Sequence, residues 1–449
     1  MSMPDLEDVL PRFAIIGAGP SGLCVARTFV RHGIPYDQFE ADAALGGIWY
    51  HGAYATAHII SSRKISQFPE YPMPAGYPDF PSQQQVLDYL NAYAEHFALR
   101  DRITFNKKIT LVQPLPGGSW NLLFESGEYR RYKGVVVCNG HHWDRRWPSY
   151  SGQFNGEIIH SKDYKSPEQL RGRRVLVIGG GNSACDIVSE AARVAADAHL
   201  SLRHGYWFMP KTALGKPIVE LIGPYPLWLQ RIVHRVVLAI CVGDYRRYGL
   251  PLPNHRLFDR HPSVSTEALH YLKHGRIHPH PDVARYDGAE VEFVDGTRVG
   301  ADLIVCATGY HVSYPFLAPG LAEVRGSVVR NYWGMISPQY RHLYLVGWGQ
   351  PRSGFGNLLE PLAETLAQSI KTQDRMQFPL GAVLRRLRMP LPESHLADPF
   401  QLERGYRKAR RLLPLLPRIE RWLCSESDNA APLPVLSPPV RSAEPMRVY

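Results

Sequence analysis

Apolar and polar positions along this 449-residue chain alternate between strand-like and helix-like periods. Residues 12–16 (RFAII) form a short apolar run of the kind that makes a buried strand. A glycine turn follows, and apolar positions then recur at helical spacing over 21–31. Residues 36–40 read as a second strand that ends in an acid. This is a β–α–β opening. The same order returns at 174–178 (RVLVI), with a helix through about 195 and a strand over 199–203. Between the two, the pattern predicts a helix over 83–99 and strands over 103–111, 119–125 and 135–138. Residues 61–81 are rich in Pro, Tyr and Phe and predict an ordered loop. Residues 210–257 are irregular and aromatic, with one helix over about 227–242. Strands over 290–294, 303–307 and 343–346 and a helix over 361–371 follow. The tail beyond 425 is polar and proline-rich and predicts disorder. Two β–α–β openings this far apart predict an α/β chain with two Rossmann-like dinucleotide-binding domains.

The glycine turns carry the candidate chemistry. Gly17-Ala18-Gly19-Pro20-Ser21-Gly22 supplies G-x-G-x-x-G between strand and helix. Gly17 permits the tight turn, Gly19 lets a pyrophosphate approach the backbone, and Gly22 lets helix and strand pack closely. The helix N-terminus offers free N–H groups to phosphate. Glu40, at the end of the next strand, can accept hydrogen bonds from ribose hydroxyls and would repel a 2′-phosphate. The first site therefore suits FAD or NAD.

The second turn, Gly179-Gly180-Gly181-Asn182-Ser183-Ala184, gives G-x-G-x-x-A. No acid ends its following strand. Arg203 stands at the position taken to match Glu40, and a guanidinium there can pair with a 2′-phosphate; Lys211 is a weaker candidate for the same role. The second site therefore suits NADPH. Opposite charges at matching positions imply one flavin and one nicotinamide, with hydride passing from NADPH to the flavin.

Four further pieces widen the pattern: Gly46-Gly47-Ile48-Trp49, Phe68-Pro69-Glu70-Tyr71-Pro72, Phe154-x-Gly156-x-x-x-His160-x-x-x-Tyr164, and Ala307-Thr308-Gly309-Tyr310. With the two glycine turns, they make the chain resemble the class B flavoprotein monooxygenases, most closely the flavin-containing monooxygenases. The likeness runs from about 13 to 371. It implies an NADPH domain inserted into a discontinuous FAD domain. The expected division is 1–165 and 301–375 for FAD, 166–300 for NADPH with the aromatic insert at 210–257, a basic extension at 376–425, and a disordered tail at 426–449.

The resemblance also implies cofactor contacts at Gly47, Trp49, Gly181, Asn182, Ser183, Thr308 and Gly309. It implies a C4a-(hydro)peroxyflavin formed with O₂, kept from water and attacked by a soft nucleophile such as an amine, a thioether or an electron-rich ring like indole. The substrate would be a small molecule. Tyr164-Lys165 stands where Baeyer–Villiger members carry Trp, which favours the N- or S-oxygenating branch. Alternatives are a Baeyer–Villiger or oxidative-decarboxylating enzyme of the same class, and an uncoupled NADPH oxidase or flavin-dependent reductase. The family commonly places an Asn before the FP-x-(F/Y)-P segment; this chain has none there. Ser61 or Ser62 could donate a hydrogen bond in its place, and Arg63 or Lys64 could stabilise anionic peroxide. His160 reads either as a catalytic residue or as a hinge residue bonded to backbone.

Composition narrows the remainder. The apolar fraction of 45% and charged fraction of 20% are those of a globular chain and exclude wholesale disorder. Six cysteines without a C-x-x-C pair give no sign of zinc or dithiol chemistry and fit a reducing cytosol. The N-terminus lacks a signal-peptide core, so a cytoplasmic protein is expected. His278-x-His280 has no cysteine or carboxylate pattern beside it, and no metal site is expected. The net charge of +10 is uneven: residues 375–421 hold eleven basic and four acidic residues. That segment lies outside both glycine turns, so nucleic acid is not an expected partner. It reads as a solvated helical face, with a weak anionic-membrane contact or a homodimer interface as the alternatives.

Overall fold

The computed structural model describes residues 9–221, 223–352 and 354–429. The chain opens with β1 (Val9–Ile16), whose inner half is fully buried, followed by α1 (Pro20–His32) and β2 (Tyr36–Phe39). The helix starts on a glycine with no side-chain cap and ends on Gly33 in the left-handed region. A second helix, α2 (Gln83–His96), begins with a Ser82–Gln85 capping box.

The strand expected over 103–111 divides into β3 (Ile103–Thr104) and β4 (Ile109–Pro114). Asn106 sits at φ 51 between them, and its N–H and that of Lys107 bond the carbonyls of Asp42 and Glu40. The chain thus wraps the end of β2 instead of continuing straight. Strands β5 (Trp120–Phe124) and β6 (Tyr129–Val137) complete this stretch. Together with Leu343–Leu345, the six strands form a seven-stranded sheet in the order β3-β2-β1-β6-β5-β4, the late strand pairing with the C-terminal half of β6. The β3-β2-β1-β6 pairs are parallel, and β4-β5-β6 are antiparallel.

The second sheet is wholly parallel. Its five strands lie in the order His278–His280, Asp197–Ser201, Arg174–Ile178, Leu303–Cys306, Glu157–His160. An added four-stranded sheet joins Ser151–Phe154 to strands between 283 and 300. Phe154, Val283, Val291 and Phe293 from that sheet share one core with Leu176, Ile178, Ile304 and Cys306. Sheet membership therefore moves both expected boundaries outward: the second unit runs from about 151 to 306 rather than from 166 to 300. The linker motif at 154–160 supplies a core phenylalanine and an edge strand of the second unit. A continuous apolar run reads the same way whichever of two parallel sheets it joins, which is why sequence alone misplaced these edges.

The C-terminal segment is not an appendage. The helix Pro399–Leu412 carries Arg404, Arg407, Lys408 and Arg411 outward, turns Arg410 onto the Pro361 carbonyl and the Thr365 hydroxyl, and buries Tyr406 and Ala409. Tyr406, with Leu413, Leu416, Leu380 and Leu384, belongs to the same core as α1 and the long helix Gly356–Gln373. The buried Glu420 carboxylate accepts the N–H groups of Gln377 and Phe378. Leu396–Ala397 adds a strand pair to Gln350–Pro351. The solvated-face reading holds for one side of the helix only. The disordered tail expected at 426–449 lies outside the described residues from 430 onward.

Candidate active site

The two glycine turns are built alike. Gly17 N–H donates to the Phe39 carbonyl and Gly179 N–H to that of Ser201. Gly17 has φ 107 and Gly179 φ 130, and a Cβ on either would lie 2.5 or 2.3 Å from a carbonyl oxygen of the neighbouring strand end, Cys138 or Ala307. Both positions demand glycine on backbone grounds alone. Gly19 and Gly181 differ. A Cβ at Gly19 would meet nothing closer than the Gly47 Cα at 3.6 Å, and at Gly181 nothing within 4 Å. No protein atom explains these two glycines. Each stands at the uncapped N-terminus of a helix with no acid in its first turn. Open space beside free N–H groups fits a dinucleotide pyrophosphate, and both turns pass that test.

Glu40 is buried. Its carboxylate accepts from Ala18 N at 2.7 Å and Asp42 N at 3.0 Å, bracing the first turn from behind. Burial raises its pKa, and the backbone donors oppose the rise. In the second turn the strand ends at Ser201, two residues earlier than expected, and the residue structurally matching Glu40 is the buried Leu202. Arg203 stands one residue beyond, exposed, without a hydrogen bond or ion pair among the described residues. The absent acid is thus replaced by leucine, and the free guanidinium lies next to that position rather than in it. Lys211 points elsewhere, its Nζ lying 2.6 Å from His58 Nε2.

A cleft of about 1610 Å³ joins both turns. Gly17, Gly19, Glu40, Gly47 and Trp49 line it from the first unit, and Gly181, Asn182 and Ser183 from the second. Gly309 also lines it, whereas Thr308 is held behind, its hydroxyl donating to the Arg146 carbonyl. Gly22 and Gly179 lie in the turns' framework rather than in the wall. Gly47, at φ 58, rests against the Gly19 backbone, so the Gly46–Trp49 turn is pressed onto the first glycine turn.

The proposed catalytic run separates. Ser61 lines the cleft, its Oγ 2.6 Å from that of Ser66. Ser62 is buried outside the lining, Arg63 donates to the Pro74 carbonyl and Lys64 is exposed. Residues 62–66 coil into a helical turn, which sends successive side chains to different sides. His160 is fully buried outside the lining. Its Nδ1 accepts from Lys162 N, so Nε2 carries the proton that is donated to the Gly309 carbonyl at 3.1 Å. Of its two readings, this geometry is that of the hinge residue.

Several residues at and behind the cleft wall, Tyr54, Thr56, Asp186 and Glu190, were not singled out from the sequence. Tyr54 donates to Asp186 at 2.7 Å, and Thr56 and Tyr164 both donate to Glu190. These bonds fasten the 54–58 segment and the linker tyrosine to the helix Asn182–Val194. Segment 390–402 forms a wall, although it sits inside the basic stretch. Its low charge and three prolines were the available signal.

A family model described as flavin-binding monooxygenase-like matches residues 11–353. The chain belongs to that family. Flavin-containing monooxygenase 5 of Oryctolagus cuniculus is 32% identical over 347 residues, covering 71% of this chain, and the chain spans 65% of that protein's length. A probable indole-3-pyruvate monooxygenase of Arabidopsis thaliana, YUCCA9, is 30% identical over 318 residues, covering 67% of this chain and 75% of its own. A flavin monooxygenase from Stenotrophomonas maltophilia, solved as a double mutant, shares the fold at a TM-score of 0.63 and 24% identity, covering 80% of this chain and 97% of its own. The family membership accounts for two Rossmann-type units facing one cleft.

Proposed function

We propose that this flavin-binding monooxygenase-like chain binds FAD at the first turn and NADPH at the second, and uses O₂ to oxygenate an amine, thioether or electron-rich ring of a small substrate. The carrying observation is that both glycine turns open onto one continuous cleft. When bound, the flavin supplies the two-electron relay between NADPH and O₂. The protein's own share is to bind, orient and exclude water. The uncapped N-termini of the two helices hold the pyrophosphates. Glu40 faces the ribose of the first nucleotide, and Arg203 the 2′-phosphate of the second. Trp49, Trp333, Trp348, Phe355 and Leu358 give the cleft apolar walls that keep water from reactive oxygen. Ser61 is the candidate hydrogen-bond donor in place of the missing Asn.

The linker residue Tyr164 is spent on Glu190 and stacks near Tyr54, which supports the N- and S-oxygenating reading over the Baeyer–Villiger one. The decisive experiment measures NADPH consumption with a thioether such as thioanisole under ¹⁸O₂. The expected result is one labelled sulfoxide per NADPH. Hydrogen peroxide equal to the NADPH consumed, with no labelled product, overturns the reading in favour of an oxidase.

Among the described residues, no helix is long and apolar enough to cross a membrane. The reading includes a cytoplasmic location, supported by six unpaired cysteines. It also includes weak contact with an anionic surface, supported by the outward Arg404, Arg407, Lys408 and Arg411. A homodimer through the same face is the second arrangement, and sedimentation with and without anionic vesicles separates the two.

A further inference from the structure

One wall of the cleft carries four histidines from three distant parts of the chain: His141, His142, His261 and His395. His141 and His142 are in ring contact, with centroids 4.1 Å apart. The Gln350 amide nitrogen lies 3.0 Å from His142 Nε2 and 3.4 Å from His141 Nε2. Gln350 N–H in turn donates to the His395 carbonyl at 2.8 Å, which sets that residue beside the amide.

Backbone partners fix the protons. His141 Nδ1 donates to the Gly347 carbonyl and His261 Nδ1 to that of Pro262, both at 2.8 Å. In the neutral rings Nε2 is therefore a lone pair: that of His141 accepts from the Gln350 amide, and that of His261 has no partner among the described residues.

The charged groups that act on the four rings are one another and Arg146, all cationic when charged. Burial, the largest cause, lowers the pKa of every ring and keeps the cluster neutral near pH 7. The acids nearby are otherwise placed. Asp398 is paired with the buried Arg352, and Glu393 is exposed and bonded to none of the four. The Tyr310 ring lies tilted 5.5 Å from that of His142, and its carbonyl accepts from Arg146, which has no carboxylate partner among the described residues. A group of neutral bases without a carboxylate partner, on the wall of a ligand cleft, can take up a proton when an anion arrives beside it.

We propose that His141, His142, His261 and His395, the first two held by the Gln350 amide, form an anion-binding wall that receives a carboxylate of the substrate. The proposal rests on the oxygenase reading for what lies beside that carboxylate: a soft nucleophile a few bonds away. Because His261 faces the ligand with an unpartnered lone pair, a carboxylate meeting it binds only as that ring gains a proton at Nε2. Binding is therefore coupled to proton uptake. An ammonium ligand would instead use the lone pair without any uptake.

Calorimetry on the enzyme loaded with FAD and NADP⁺ tests this, in two buffers of different ionisation enthalpy. The probes are 4-(methylthio)benzoate, its methyl ester and 4-(methylthio)benzylamine. The benzoate is expected to bind about tenfold tighter than the ester, as one charge-assisted hydrogen bond supplies, with net proton uptake. His142→Gln and His261→Gln each weaken benzoate binding by about tenfold and leave the ester within about twofold, with flavin content and Tm reporting an intact fold. His395→Gln is the second line if either variant loses flavin. Equal binding of benzoate and ester, benzoate binding without proton uptake, or tightest binding of the amine each overturns the proposal. Benzoate binding with uptake, but with all NADPH electrons ending in peroxide, supports the anion wall and overturns the oxygenase reading.

Discussion

The two glycine turns repeat one hydrogen-bond pattern and differ in what stands behind them. In the first, Glu40 is buried and already occupied by two backbone N–H groups, so its charge belongs to the folded protein before any ligand arrives. In the second, the matching residue is Leu202, and Arg203 stands beside it in an exposed turn with no hydrogen-bond or ion-pair partner among the described residues. The first charge is part of the scaffold; the second, in the proposed function, is kept for the ligand. Changes at the first turn should therefore move stability and binding together, and changes at the second should move binding by itself.

The largest effect tests the framework. A Cβ at Gly22 would lie 2.1 Å from the Gly17 carbonyl oxygen, whereas the second turn already carries Ala184 there. Gly22→Ala is expected to destabilise by about 2–3 kcal/mol and to release the flavin. Ala184→Gly costs about 1 kcal/mol of helix propensity and keeps both cofactors. Chemical denaturation with flavin absorbance checks both. Equal losses would mean that Gly22 is packed no more tightly than Ala184.

Next comes Glu40→Ala, which strands two backbone donors. It is expected to cost about 1–3 kcal/mol even in the flavin-free protein. Arg203→Ala should leave denaturation within about 0.5 kcal/mol of the parent. The same variant raises Kd for NADPH by about tenfold to a hundredfold, with NADH changed less than about twofold, because only the 2′-phosphate meets the guanidinium. Loss of stability in Arg203→Ala would place that residue in the scaffold and end the contrast. Gly181→Ala sharpens it: with no protein atom within 4 Å of the added carbon, the variant melts as the parent does and loses about tenfold in NADPH affinity to contact with the pyrophosphate.

The sequence disclosed the turns well because backbone geometry dictates them: a left-handed φ beside a neighbouring carbonyl leaves only glycine. It placed the strand after the second turn two residues late, since the apolar and polar alternation over 197–203 fits either register. That slip set Arg203 in Glu40's place, when one residue separates the two. The run 61–64 looked like one catalytic cluster, but helical winding aims only Ser61 at the cleft. The histidine wall was illegible for a different reason. Its members come from residues 141–142, 261 and 395, and a tertiary cluster of that separation leaves no local spacing to read. The C-terminal helix misled because a strongly basic outward face hides how few residues, Tyr406 and Ala409 with Leu413, are enough to seat it.

The smallest effect discriminates most finely between a scaffold charge and a ligand charge. An exposed guanidinium pairing with a phosphate is screened by added salt, because the Debye length falls from about 30 Å at 0.01 M to about 3 Å at 1 M. Glu40 and its two backbone donors, buried together, are screened far less. Raising ionic strength from about 0.01 M to about 0.5 M should therefore increase KM for NADPH several-fold, leave KM for NADH nearly flat, and leave flavin retention unchanged. In Arg203→Ala the salt dependence of NADPH should collapse to that of NADH. A persistent slope would point to Arg260, which lies 2.9 Å from His204 beside the same turn, as the group that meets the phosphate. That outcome would keep the second turn's charge as one held for the ligand, and move it by one side chain.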